Sequence, residues 1–292
     1  MNETLALLTE PLQYPFVRYG LVEVLLLGLA SGLVGVFVVH RQLTFFSHAL
    51  AHTIFPAVVI AAALKLDLTV GAAVGAALTV ALIAGLQRRV DVGHSGAVGV
   101  VLIGLFALGV VLVGVFRVRS PDVGASLVGN VLGASVGDLL LSLGLLVALA
   151  ILVRLLFWPL IFSSFDSGAA RGLGLPVALL DLVLLLMVAS TATVSVRVAG
   201  VILTTALIVV PAAAALRWTR RVRPAMVLAG AIGAGAGALG VLIAYYAPIA
   251  PAAVMVLALV GTFAFSVAVT SLGWVRGGYQ PVRAAASGSK KL

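Results

Sequence analysis

Cysteine is missing from all 292 residues, so neither a disulfide framework nor a thiolate metal site is available. Charge is scarce as well. Asp, Glu, Lys and Arg make up 9% of the chain against 63% hydrophobic residues, and mean hydropathy is +1.27. That balance excludes a water-soluble domain and describes an integral membrane protein. Short segments of strictly alternating polarity are absent, which excludes a membrane β-barrel. No G-x-x-x-x-G-K-[ST] loop occurs, so a process driven by ATP needs its nucleotide site on another polypeptide. No H-E-x-x-H occurs either; the nearest run, H-A-L-A-H from His48 to His52, lacks the glutamate base of an intramembrane metalloprotease. We find no nucleophile, base and oxyanion set and expect no covalent chemistry from this chain. Met1 to Pro15 has no basic n-region and no cleavage site, so no signal peptide is read.

What the chain has is apolar runs longer than the roughly 20 residues that cross a bilayer as a helix. Nine are read, at 16–39, 48–66, 68–87, 95–116, 139–162, 176–196, 198–216, 224–246 and 250–273. If one of the shorter runs is broken or re-entrant, eight spans remain. The expected organisation is an extracytoplasmic segment 1–15, an all-α transmembrane domain 16–273 and a basic cytoplasmic tail 274–292. With the Arg88–Arg89 loop in the cytoplasm, nine spans put 13 Lys and Arg inside and 5 outside, and the reverse orientation inverts this. The N-terminus is then outside. The formal charge of +9 is accounted for by cytoplasmic loops facing the inner leaflet, and nucleic acid is not needed to explain it.

Glycines repeat at helix-packing spacing: Gly28, Gly32 and Gly35, then Gly71 and Gly75, then Gly230 to Gly240. Such small-xxx-small faces bring helix backbones close together.

Only four histidines occur, and two of them, His48 and His52, stand four residues apart at the start of a span. Imidazoles at i and i+4 share a helix face, about 5–6 Å apart at Cβ. Ionisable groups at membrane depth are costly and usually functional. The pair can hold a divalent metal, or simply tie two helices together. His40 and His94 are read as solvated histidines at cytoplasmic ends, with His94 a secondary metal contact. Glu23, in the outer half of the first span, either pairs with Arg18 at the interface or attracts an incoming cation. Pro211 lies inside an apolar run, where it predicts a kink or break; broken helices commonly border a transport path, and a purely structural kink reads the same way.

Five blocks carry a resemblance. Val34 to Val58 reads V-G-V-F-V-V-H-R-Q-L-T-F-F-S-H-A-L-A-H-T-I-F-P-A-V. The others are Val92 to Gly109, Leu127 to Leu139 (L-V-G-N-V-L-G-A-S-V-G-D-L), Phe165 to Pro176 (F-D-S-G-A-A-R-G-L-G-L-P) and Val198 to Ala214 (V-A-G-V-I-L-T-T-A-L-I-V-V-P-A-A-A). In this order, they resemble the permease subunits of ABC importers for zinc, manganese or iron. The resemblance implies a type II ABC importer-like permease in the cell membrane, with no permanently bound cofactor. Its substrate would be a divalent metal ion, and its partners a cytoplasmic ABC ATPase, an extracytoplasmic solute-binding protein and a second permease copy.

The resemblance places the metal at His48 and His52. It makes Phe165, Asp166, Ala170, Gly172 and Gly174 a coupling segment that inserts into the ATPase, with Asp166 as its N-cap and the glycines at its end. Asp67, Asp122 and Asp138 become outer loop residues or docking contacts. Two departures stand out: the family often has aspartate where His48 stands, and glycine where Ala57 stands. An ATP-independent channel or secondary transporter is the alternative reading.

Overall fold

The computed structural model describes residues 10–89, 93–116, 129–247 and 249–271, and all regular structure among them is helical. The long helices are α1 (Pro15–His40), α4 (Leu68–Arg89), α5 (Gly93–Phe116), α6 (Val136–Phe165), α8 (Val177–Trp218), α9 (Val222–Tyr246) and α10 (Pro251–Ser271). Shorter ones are α2 (Thr44–Thr53), α3 (Phe55–Ala63) and α7 (Ser167–Gly172). α2 and α3 follow each other through Ile54 and count as one span, Thr44–Ala63. Eight helical stretches are long and apolar enough to cross a membrane.

The glycine spacing does what such spacing allows. A Cβ at Gly28 would sit 2.5 Å from the Ala234 backbone nitrogen, and one at Gly32 would strike the backbone of Gly230. Gly237 faces Val24 in the same way. α1 and α9 therefore run antiparallel at backbone contact. Gly35 presses on Ile208 and Ala212 of α8, while Gly71 and Gly75 press on Ala57, Ala61 and Ile54 of the α2–α3 span.

α8 is one helix by its ends and two by its course. Arg41, just past α1, binds Asp181 near the start of α8. Because α9 is antiparallel to α1, the start of α9, four residues past Trp218, lies at that same end of the bundle. A straight helix of 42 residues would be about 63 Å long, twice the hydrocarbon thickness of about 30 Å. The chain reverses instead at Gly200, where φ is 76° and ψ 173°. That conformation is open essentially to glycine alone. The bend is held from outside by the Asn130 N–H, which donates to Val198 O at 2.9 Å, and by Gly129 packed on Ala199.

The described helices thus make nine passages, with the arms 177–199 and 201–218 as the sixth and seventh. The sequence put this division at residue 197. It also placed a kink or break at Pro211, but the backbone is helical there and the break falls at Gly200. A proline inside a helix removes one hydrogen bond, whereas a glycine in the mirror-β region turns the chain.

Candidate functional site

α1 ends because Gln42 takes a left-handed φ of 56° and the Leu43 N–H returns to Val38 O at 2.8 Å. The chain re-enters the bundle as α2, which carries both histidines on one face. The rings of His48 and His52 lie 5.1 Å apart at 70°. His48 is exposed on the flank of the single chain and His52 is half-buried. The His52 ring meets Phe106 of α5 edge-on at 5.8 Å. Among the described residues no group of three or more His, Asp or Glu side chains is close enough to hold a metal by itself. The arrangement offers two nitrogen donors and leaves the other coordination positions open.

On either side of His52 along the chain, at Ala51 and Ile54, a cavity of about 410 Å³ begins. Ala51, Ile54, Phe55 and Val58 form its apolar wall; Asp67, Thr69, Asn130, Asp138 and Arg197 form its polar one. Phe55 lines the cavity and also lies 6.0 Å from Phe106, the ring that contacts His52. The cavity sits at the bend of α8, the end of the bundle opposite Arg41.

Asp138 lies in the first turn of α6 rather than in a solvated loop. It forms a capping box with Ser135, whose N–H and Oγ donate to Asp138 Oδ2 at 2.9 and 2.6 Å. Its Oδ1 lies 2.8 Å from Arg197 Nε, and Arg197 also donates to Thr69 Oγ1. Asp67 caps α4, accepting from the N–H groups of Thr69 and Val70 at 2.7 and 3.3 Å. These bonds, with that from the Thr69 side chain first, hold the Asp67 carboxyl below its ordinary pKa. Asp122 lies outside the described residues.

Glu23 does not pair with Arg18. It is fully buried between α1 and α6, and Ser142 Oγ donates to its Oε1 at 2.6 Å. His40 also departs from expectation: its ring packs 5.4 Å from Phe165, and its Nε2 is buried without a partner. His94 falls in the first turn of α5, with its side chain outside the described residues.

At the Arg41 end, α7 projects from the bundle. Asp166 caps it through the Ala169 N–H at 2.8 Å, Ala170 is its one buried residue, and Gly174 with φ 76° leads out of it. Phe165 and Leu173 on either side are 67% and 72% exposed, so α7 presents an apolar rim to its surroundings. Behind it, Arg41 donates to Ser164 Oγ at 2.7 Å, Ser163 Oγ at 2.6 Å and Leu160 O at 3.3 Å. Sequence reasoning missed two polar clusters, Arg41 with Ser163, Ser164 and Asp181, and Arg197 with Asp138 and Thr69. Each arginine lies 59 to 140 residues from its partners, and no local pattern links them.

Known proteins match this chain over most of its length. The manganese transport system membrane protein MntC of Halalkalibacterium halodurans is 28% identical over 255 residues, 87% of each chain. The chelated iron transport system membrane protein YfeD of Yersinia pestis is 29% identical, covering 84% of this chain and 82% of its own. The solved structure of PsaBC from Streptococcus pneumoniae in complex with Fab superposes with a TM-score of 0.81 at 27% identity, over 90% of this chain and 95% of that one. The pattern of the ABC 3 transport family matches residues 13–270, and this multi-pass membrane chain belongs to that family.

Proposed function

We propose that this chain is the permease subunit of an ATP-driven importer of divalent transition-metal ions, zinc, manganese or iron. The observation that carries the reading is the pair of rings 5.1 Å apart on the face of a membrane-crossing helix. Two neutral imidazoles with open positions bind a passing cation without trapping it, as a pathway needs. Relatives named for manganese and for chelated iron support the substrate class. Nitrogen at the position of His48, where the family often has a carboxylate, adds zinc to the candidates.

In this reading the Arg41 end faces the cytoplasm and the cavity faces outward. Metal handed over by a solute-binding protein enters the cavity, meets the histidine pair and leaves toward the cytoplasm. A second permease copy flanks the exposed side of His48. ATP binding in a separate ATPase dimer moves α7, and the bundle alternates between outward and inward access. The exposed apolar rim of α7 favours this coupled mechanism over a free-standing channel.

The test is metal-by-metal accumulation, by elemental analysis, in cells with and without the gene. His52→Ala is expected to abolish accumulation while the protein stays in the membrane. Normal uptake by that variant overturns the reading, and failure of any ATPase to co-purify would leave a channel in its place.

A further inference from the structure

The outer cavity contains an imbalance that metal import by itself does not explain. Three ionisable groups, Glu23, Asp138 and Arg197, meet there from three helices. With Thr69, Ser142 and Val194 they line one small gap behind the cavity wall. Only one of the two carboxylates has the guanidinium. Asp138, which faces the cavity, holds it as an ion pair at 2.8 Å through Oδ1, an oxygen that accepts no aligned hydrogen bond and so is loosely held. Glu23 lies deeper, is fully buried, and has one oxygen bound by Ser142 while Oε2 has no partner. A buried acceptor left unmade is costly, more so where water is scarce.

The two carboxylates are joined along one helix face. Asp138 and Ser142 are four residues apart on α6, so the chain of contacts runs Arg197–Asp138, one helical turn, Ser142–Glu23. Asp138 and Arg197 are both within electrostatic reach of Glu23. Arg197 itself is 44% exposed and rooted three residues before the bend at Gly200, a long side chain with room to move. The other oxygen of Asp138 is engaged by Ser135, so Oδ1 is the atom that exchanges partners.

We propose that Arg197 is an internal counter-ion that switches between these two carboxylates. It occupies Asp138 Oδ1 while the cavity is empty. When a divalent cation takes that oxygen, with Asp67 and Asn130 on the same wall, Arg197 moves onto Glu23 Oε2. The cation then gains a carboxylate ligand, the guanidinium exchanges one carboxylate for another instead of keeping Thr69 alone, and Glu23 gains its missing partner. A monovalent cation has less to offer Asp138 than the tethered guanidinium, so the switch also selects for charge. This rests on the reading of the chain as a divalent-cation permease and adds to it a second, outer site.

The experiment is a double-mutant cycle of manganese(II) binding, read from the electron paramagnetic resonance signal of the free ion. The full-length chain is reconstituted in lipid nanodiscs in a His52→Ala background, so that the histidine pair does not contribute. Arg197→Gln is expected to tighten binding about tenfold and Glu23→Gln to weaken it about tenfold, typical sizes for coupled sites. In the Arg197→Gln background, Glu23→Gln is expected to change binding less than about threefold, because the switch has no cation left to receive. Asp138→Asn is expected to abolish the site. If Glu23→Gln costs as much without Arg197 as with it, Glu23 acts as a plain attractor and the switch is overturned. Binding that survives Asp138→Asn also overturns it. Should Arg197→Gln fail to reach the membrane, Arg197→Met removes the charge at similar bulk and is read in the same way. Metal at the histidine pair is titrated separately in the otherwise native chain; its absence counts against the import reading and leaves the cycle intact.

Discussion

Arg41 and Asp181, 140 residues apart in sequence, are ion-paired where α1, α6 and α8 end together. The same guanidinium binds Ser163 and Ser164, the last turn before the segment that leads into α7. One residue past Arg41 the chain turns at Gln42 and enters the helix of the histidines. Arg41 is thus the covalent neighbour of one functional element and the hydrogen-bonded neighbour of the other. Arg41→Ala is expected to cost about 1–3 kcal/mol through lost hydrogen bonds to a charged group. Asp181→Asn is expected to cost less, because Asp181 is 51% exposed and water replaces its partner. Thermal melting of the purified protein ranks the two; equal losses would mean that the serine contacts contribute nothing.

Import is expected to depend on pH through the histidine pair. The unprotonated imidazole is the ligand, so protons compete with metal and uptake falls as the medium is acidified. His48→Asp is expected to keep uptake, to move the midpoint to lower pH, and to favour manganese over zinc because one nitrogen donor becomes an oxygen. Uptake assays from pH 5 to 8 with each metal check both statements.

Ala170→Pro is expected to uncouple transport from ATP hydrolysis. The Ala170 N–H donates to Asp166 O at 3.0 Å within the single capped turn of α7, and proline deletes that bond. The histidine pair lies on another element, so metal binding is expected to persist while uptake falls. Parallel loss of metal binding would point to general unfolding instead.

The contact of α1 with α9 is expected to tolerate no side chain. Gly32→Leu meets the backbone of Gly230, which has nowhere to yield, and overpacking of this kind costs about 1–3 kcal/mol or more. Gly85→Ala is the control, since a Cβ there meets nothing within 4 Å and alanine is the better helix former. Gly200→Ala belongs with the first, because its φ of 76° strains any other residue. Yield of folded protein from membranes distinguishes the three.

Asp67 is expected to stabilise the start of α4 in a pH-dependent way. Its carboxyl is held below its ordinary pKa by the Thr69 and Val70 bonds. The stabilisation is therefore complete above the unfolded-state value, near 4, and is lost as pH falls through the depressed folded one. Amide exchange at Thr69 and Val70 reads the fraying, and Asp67→Ala is expected to show it at neutral pH.

The sequence by itself determined the membrane class, the helical spans, the packing glycines and the shared face of His48 and His52. Each of these is local: hydropathy over 20 residues, a repeat of four, or a helix periodicity of 3.6. The cap of α7 by Asp166 was legible for the same reason, being a contact across three residues. Tertiary structure decided the rest. Glu23 read either as a partner for Arg18, five residues away, or as an attractor for a cation; the bundle turns it away from the first, toward Ser142 of α6, 119 residues on. Asp138 looked like a loop carboxylate, and only the bend at Gly200 brings Arg197 to it. Pro211 looked like a kink or break, yet α8 stays helical there because the single bond a proline removes does not by itself turn a packed helix. Long-range charge pairing depends on which helix ends meet, and helix order in a bundle is set by packing between segments far apart in the chain.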